Sequence, residues 1–541
     1  LTEQEEHYQK NNLATWIGFS AMSIGMFMAI IDIQVVASSL TELMSALDIP
    51  ANQLSWIQTS YLIAEVIAIP LTAWLIRVLT LRGLFITMTA GFTLASLGCA
   101  LSNGFVALIT FRVVQGFCGG SLIPIVFTAV FVMFPERSRV LATTIAGALA
   151  MLAPTLGPVL GGYLTETYSW RWIFLINLAP GIAVTAVVAC VLQSERPQWN
   201  LLKKLDYDTV LLATMFLASF EVVMKEGPSH DWSGGLVISL TLLCVVSAMM
   251  AVRRSLRNEC SFIDLRLFAD RGFAVSCVLS FILGIGLYGS VYLLPVFLGL
   301  VRNHNALDIG MIMIVTGAAQ LVIAPIAAMV ETRFNPRMLL ALGYGLFAAG
   351  LLANGFSTFE SDFDELFWPQ VMRGAAVMFC ILPATRIALD FRSEKTAEAS
   401  ALFNLMRNLG GAIGIALVDT ILQQRTPDHV NALIQRLQDG DPKAAAIVGI
   451  PLDQFLNVPL GAIDEGTRHL LELSVNRGAL VLSINDAWMV VAVIFFISLA
   501  LLPLLPKTLK RQVRDENYET DEIDRQRLNQ IAKKKRTPPS A

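Results

Sequence analysis

Residues 14–38 read ATWIGFSAMSIGMFMAIIDIQVVAS, an apolar run that carries a single charge, Asp32. A bilayer core about 30 Å thick takes about 20 helical residues to cross, so this run is long enough to cross it as a helix. A strand of an outer-membrane barrel would alternate polar and apolar residues over about ten positions, whereas this stretch is apolar on every side. A helix satisfies its own backbone polar groups in lipid. The expected fold is therefore an all-α membrane bundle.

Similar runs recur at 54–76, 84–101, 105–133, 140–165, 171–192, 207–225, 234–252, 271–298, 306–330, 337–356, 365–390, 396–422 and 485–505, which makes fourteen expected spans. The composition agrees: 55% of the 541 residues are hydrophobic and 15% charged, where soluble domains carry about a quarter charged residues. A formal net charge of -3 offers no basic footprint for nucleic acid. The seven cysteines fall mostly inside apolar runs without paired spacing, so they read as packing residues and not as a disulfide framework or metal site. The first run lacks a small-residue cleavage signature and is expected to stay as a span.

Lys and Arg in the short loops set the orientation. Arg77, Arg82, Arg137, Arg139, Arg196, Lys203, Lys204, Arg253, Arg254, Arg333, Arg337 and Arg392 gather on one side, against Arg171, Lys225 and Arg302 on the other. Both termini are thus expected in the cytoplasm, as tails 1–13 and 506–541. Residues 423–484 form an external segment far longer than the usual connection of about four to six residues. Its helical-looking stretches, Val430 to Leu437 and Thr467 to Leu482, fit either a folded cap or a docking surface for another protein.

Pro70 precedes Arg82 by the spacing that separates Pro325 from Arg337. This faint repeat divides the chain into a six-helix bundle at 14–192, two inserted helices with their loops at 193–270, and a second six-helix bundle at 271–505. In transporters built from such repeats the substrate site lies at the repeat interface near the midplane.

An ionisable group inside a span costs about 2.5 to 3.5 kcal/mol on insertion scales, so each needs a partner or a watery cavity. Asp32 and Arg112 lie well inside the first and fourth spans and form a candidate proton-coupling pair, with a purely structural ion pair as the alternative. Glu65 and Glu221 are further acidic candidates; Glu221 is near a span end, where a side chain can also snorkel to the interface. Arg373, Arg407 and Asp419 read as structural or gating charges. The fifth span contains LAPTLGPVLGGYL, in which Gly157 and Gly161 permit close helix contact while Pro154 and Pro158 bend the backbone; Gly162 adds a further small position.

These motifs resemble the major facilitator superfamily, in particular its fourteen-helix drug:proton antiporter branch and the EmrB-type multidrug efflux permeases within it. The Asp32 segment is similar to the family's acidic first-helix motif, Arg112 with Gln115 and Gly116 to its fourth-helix arginine motif, and Gly157 to Gly162 to its antiporter motif. SWRWIFLIN at 169–177, VYLLPVF at 291–297 and ASALFNLMRNLGGAIGIAL at 399–417 extend the likeness over nearly the whole chain outside the tails. In the loop after the second span Arg77 and Arg82 remain, but Ala73, Ile76 and Thr80 stand near the places of the family's Gly, Asp and Gly. That puts the usual cytoplasmic aspartate latch in question.

The resemblance implies export of hydrophobic or amphipathic compounds from a bacterial inner membrane, driven by the proton motive force without a cofactor, often with a periplasmic adaptor and an outer-membrane channel. An exporter of one physiological compound, such as a fatty acid or siderophore, is the alternative; a passive channel or receptor is the alternative of another class. The chain has no G-x-x-x-x-G-K-[ST] loop for ATP. Its five histidines, at 7, 230, 304, 429 and 469, sit in expected tails and loops, which argues against a buried acid–base or metal centre and against an enzyme.

Overall fold

The computed structural model describes residues 13–50, 53–193, 197–200, 206–227, 230, 232–257, 265–331, 333–388, 393–450 and 465–505. Both tails, Arg196, Lys203, Lys204, Arg392, residues 451–464 of the external segment and the side chains of Arg137, Arg139 and Pro154 lie outside this description.

Among the described residues the apolar runs lie in the helices α1 Leu13–Ser38, α2 Trp56–Leu79, α3 Leu81–Ala100, α4 Phe105–Met133, α5 Glu136–Thr167, α6 Leu178–Val191, α7 Tyr207–Glu226, α8 Gly235–Arg257, α9 Arg271–Leu300, α10 Ala306–Glu331, α11 Pro336–Asn354, α12 Phe363–Ala388, α13 Ser393–Gln438 and α14 Glu465–Ser498. Twelve segments among the described residues are long and apolar enough to cross a membrane, and the apolar stretch Trp56–Thr72 of α2 is shorter. Helix starts follow their polar caps. The Asp206 and Asp270 side chains accept from the backbone N–H groups of Thr209 and Phe273 at the heads of α7 and α9, which satisfies donors a helix cannot pair itself. Asn335 followed by Pro336 does the same for α11.

The expected sixth span is broken. A single helical turn, Trp172–Leu175, precedes α6, and the interruption falls at Ile176 and Asn177. The thirteenth and fourteenth helices also differ from expectation: α13 runs for 46 residues, and α14 begins within the segment read as external. The stretch at Val430 to Leu437 is therefore the end of α13, and much of that at Thr467 to Leu482 is the beginning of α14. Leu433 and Leu437 of α13, Ala444, Ala445 and Val448 of the short helix Pro442–Val448, and Val475 and Ala479 of α14 bury one another in a small separate core. At 1.5 Å per residue, α13 beyond residue 422 projects roughly 24 Å.

Within the first six helices α1 packs on α5 and α4 on α2 and α3; within the last six α9 packs on α13 and α12 on α10 and α11. The two sets meet where α5 packs on α10 and α2 on α13, while α7 and α8 pair with each other and α7 rests on α2 and α13. Details repeat between the sets. Pro70 lies in α2 and Pro325 in α10. Arg82 Nη2 donates to the Ala189 carbonyl of α6 at 2.5 Å, and Arg337 Nη2 to the Pro503 carbonyl just after α14 at 3.3 Å.

Small residues set the closest approaches. Gly157 and Gly161 of α5 lie against Gln34 and Val35 of α1, and Gly410 and Gly414 of α13 lie against Phe281 and Ile285 of α9. Gly162 instead faces the other set, where a Cβ would run into the backbone of Ala306 and Leu307; Gly310 similarly abuts Pro158, and Gly317 abuts Thr155. These approaches, with Thr41 against Gly299, all lie between the middle of the bundle and the end from which α13 projects. At that end Glu42 accepts from Thr41 at 3.0 Å and from the Ala306 backbone N–H at the head of α10, where negative charge is favoured. Burial nevertheless pushes the Glu42 carboxyl up.

Gly157 and Gly162 should therefore behave differently. Gly157→Leu overpacks a contact inside one set and should lower thermal stability, by about 1–3 kcal/mol. Gly162→Leu should spread α5 from α10, so that a reporter cysteine at Thr155, 7% exposed in the intact bundle, reacts severalfold faster with an impermeant maleimide in a background without other cysteines. Equal labelling in both leucine variants would show that Gly162 does not hold the seam.

Candidate functional site

Asp32 and Arg112 meet as expected from their types and depth. Arg112 Nη1 lies 2.5 Å from Asp32 Oδ2, and neither side chain is exposed at all. Five further groups complete the cluster. Arg112 Nη1 also donates to Gln115 Oε1 at 2.7 Å, and Gln115 Nε2 donates to Asp32 Oδ1 at 2.9 Å and to Ser96 Oγ at 2.8 Å. Asn177 Nδ2 reaches Asp32 Oδ1 at 2.8 Å, because the break before α6 points that amide inward. Arg112 Nε donates to the Ile57 carbonyl at 3.1 Å, and the guanidinium stacks 4.4 Å from the Tyr61 ring centroid. Gly116 abuts the Tyr61 carbonyl, which lets α4 approach α2 closely enough for these bonds. The cluster thus ties α1, α2, α3, α4 and the head of α6 together around the Asp32–Arg112 pair. Arg112 Nη2 is left without a partner.

A second polar seam runs between α2, α7, α9 and α13. Asn408 Nδ2 donates to Glu65 Oε1 at 3.0 Å across the two sets, and Tyr288 Oη bonds Asn408 Oδ1 at 3.3 Å; Glu65 Oε2 has no hydrogen-bond partner. Glu221 differs from the snorkelling alternative: it is 2% exposed, and neither carboxyl oxygen has a hydrogen-bond partner. Burial without donors is costly for an ionised carboxylate, and Glu65 is near enough to act on Glu221 electrostatically.

One turn farther along α7, Lys225 is buried and paired with Asp419 of α13, and Ser55 at the head of α2 donates to the same carboxylate oxygen. Tyr292 of α9 donates to Asp419 Oδ1 at 2.9 Å. Trp56 Nε1 donates to Glu226 Oε1 at 3.0 Å. The inserted helix α7 is thereby fastened to both sets.

Other sequence candidates take separate places. Arg373 is buried in α12, bonded to Gln370 and not to any carboxylate among the described residues. Arg407 of α13 donates to Asn404 Oδ1 at 2.7 Å. Arg77 is exposed, and Arg82 stays within the first set. Lys225 was expected in an outer loop; instead it lies inside the bundle because Asp419 compensates its charge. Asn177, Asn408, Tyr292 and Ser55 were not singled out from sequence. The repeated Gly410-x-x-x-Gly414 spacing was a legible signal for the α9–α13 contact.

A helical membrane bundle with a buried charge cluster and two pseudo-equivalent sets of helices is the architecture of a membrane transporter. The family model of the Major Facilitator Superfamily matches residues 22–415, and the chain belongs to that superfamily. It is similar to the colistin resistance protein EmrB of Acinetobacter baumannii, 36% identical over 485 residues that cover 89% of this chain and 94% of that protein. The multidrug export protein EmrB of Escherichia coli is 29% identical over 89% of this chain and 93% of its own length. Among solved structures, a bacterial homologue of the human lysosomal transporter Spinster superposes with a TM-score of 0.58 at 14% identity, covering 90% of this chain and 95% of that one.

The Asp32–Arg112 pair generates a double-mutant test. Arg112→Ala leaves a buried charge unpaired and should cost about 3–5 kcal/mol, whereas Asp32→Asn combined with Arg112→Ala should recover part of that loss. Thermal unfolding in detergent reads the cycle; strictly additive losses would contradict the contact's energetic role.

Proposed function

We propose that this chain is a proton-driven exporter of hydrophobic or amphipathic compounds in a bacterial inner membrane, with both termini in the cytoplasm. The observation that carries the reading is the fully buried Asp32–Arg112 pair, which joins α1 to α4 and is tied into α2, α3 and the head of α6. Proton binding at Asp32 removes the charge that Arg112 compensates and weakens the bonds from Gln115 and Asn177. A change of proton occupancy therefore changes how α1, α4 and α6 are held together. Glu65 joins α2 to α13 through Asn408, so a proton there acts directly on the seam between the two six-helix sets. Glu221 is a further buried carboxyl whose two oxygens have no hydrogen-bond partner, so protonation there costs no bond. Arg373, Arg407 and Asp419 act as structural or gating charges in this scheme.

The two sets touch from mid-bundle to the projecting end, which in the proposed orientation is the periplasmic end. The chain is then closed outward, and substrate enters from the cytoplasm or inner leaflet toward the interface between the sets. Gly162, Pro158 and Gly310 form the part of that interface that must separate for release. The names of the bacterial relatives support multidrug export as the activity and small apolar molecules as cargo. The projecting ends of α13 and α14, with exposed Ile434 and Leu473, support docking of a periplasmic adaptor that leads to an outer-membrane channel.

One proton moving across 100 mV supplies about 2.3 kcal/mol. In proteoliposomes, Asp32→Asn should insert and bind substrate yet lose accumulation driven by a pH step, and Glu221→Gln should slow it. Normal concentrative transport by the Asp32 variant would overturn the coupling role. Replacing residues 423–484 with a Gly/Ser linker should abolish co-purification with the adaptor while isolated flux persists; unchanged adaptor recovery would move docking elsewhere.

A further inference from the structure

The second set of helices holds a buried arginine that the transport scheme leaves uncompensated. Arg373 is 2% exposed and Gln370, one turn earlier on α12, is fully buried. Arg373 Nη2 donates to Gln370 Oε1 at 2.7 Å, and Thr316 Oγ1 of α10 donates to the same oxygen at 2.6 Å. That acceptor is saturated. Arg373 Nε, Arg373 Nη1 and Gln370 Nε2 remain as three buried donors without partners.

Among the described residues the surroundings supply no acid to pair with Arg373. Gly350 of α11 lies against the Arg373 stem, and the guanidinium carbon sits 5.2 Å from the Trp488 ring centroid of α14. No ion pair to Arg373 exists among the described residues. The comparison with the first set is direct: Arg112 occupies the fourth helix there, Arg373 the fourth helix here, and each bonds a glutamine three residues away. Arg112 has Asp32 on the first helix of its set. The corresponding helix α9, Arg271–Leu300, carries no acidic residue.

A positive charge in a low-dielectric interior demands compensation, and three unpaired donors demand an acceptor. Asn354, one turn from Gly350 on α11, has two unpartnered side-chain atoms, and Asn485, one turn from Trp488 on α14, has an unpartnered Oδ1. These polar atoms lie nearer the projecting end on the same two helices, α11 and α14, that pack against Arg373. We propose that Arg373 and Gln370 bind a small monovalent anion of halide size, placed beside Trp488 and reached from the projecting end past Asn354 and Asn485. The same donors would accept the carboxylate of an amphipathic compound, but the near-complete burial of both side chains favours an ion without a tail. This proposal stands independently of the proton-coupling scheme.

The test uses the full-length purified protein in detergent and bromide, a quencher of tryptophan fluorescence, exchanged against gluconate at constant ionic strength. A bound bromide next to Trp488 should add a saturable component to the linear quenching of exposed tryptophans. Trp488→Phe should remove that component, and Arg373→Gln should weaken it at least tenfold, while Arg373→Lys, which keeps the charge, should retain it in part. Chloride should displace bromide, and decanoate at equal concentration should not. Quenching that is linear and equal in the parent and Trp488→Phe proteins overturns the site, even if the Arg373 variants fail to fold. Displacement by decanoate in preference to chloride overturns the assignment of a small ion and makes the ligand a carboxylate amphiphile.

Discussion

Charge in a hydrocarbon medium has to be compensated locally, and the architecture around Asp32 follows from that constraint. One carboxylate accepts from Arg112, Gln115 and Asn177, so α4 and the head of α6 are both fixed relative to α1 by a single group. Gly116 is needed because α4 must come within reach of α2, and the interruption before α6 is needed because an amide inside a regular helix would not point at Asp32 from that position. The same requirement explains Lys225, whose amine is tolerated inside the bundle because Asp419 compensates it, while Ser55 and Tyr292 donate to that carboxylate and hold it in place. Polar groups here specify geometry more than they add stability, since a buried pair gains little over a well-packed apolar one.

The two sets of six helices are related detail by detail. Each has a proline inside its second helix, an arginine at the head of its third that donates to a carbonyl at the end of its sixth, and a small-xxx-small face where the fifth helix meets the first. The sets meet through the second helix of one and the fifth helix of the other, in both combinations. What breaks the relation is charge. The first set compensates its arginine internally, and among the described residues the second does not; the spacing that relates Pro70 to Pro325 places neutral Gln320 of α10 where α2 carries Glu65. Among the described residues, then, ionisable groups are distributed asymmetrically on a symmetric frame.

Much of this was legible in the sequence, because membrane helices announce themselves by length and apolarity and because a charge inside such a run is rare enough to single out. Asp32 and Arg112 were legible for that reason, and Gln115 and Gly116 through their likeness to the family's fourth-helix motif. The remainder depends on which residues meet, and hydropathy does not carry that. Asn177 belongs to a run that looks continuous, and only the break at Ile176 turns its amide inward. Glu221 and Lys225 stand near a span end, where exposure and burial read alike until a partner helix is known. Gly157 and Gly162 are indistinguishable as glycines in one motif, yet they face different helices because 3.6 residues per turn separates their directions. The external segment looked like a loop because its polar residues mask the continuity of α13.

That continuity has a mechanical consequence. A 46-residue helix that begins inside the bundle and ends outside it is a lever, and with an arm of roughly 24 Å each degree of tilt displaces the tip by roughly 0.4 Å. Pro427 lies at the root of the arm and would let it bend there, since proline removes a helical hydrogen bond. The root is braced, however: Arg425 and His429 both reach Asp486 of α14, at 3.0 and 2.8 Å, and Thr426 bonds Ser483 at 2.9 Å. The arm is therefore stiffened into a two-helix pointer whose position outside the bilayer tracks the joint movement of α13 and α14 inside it.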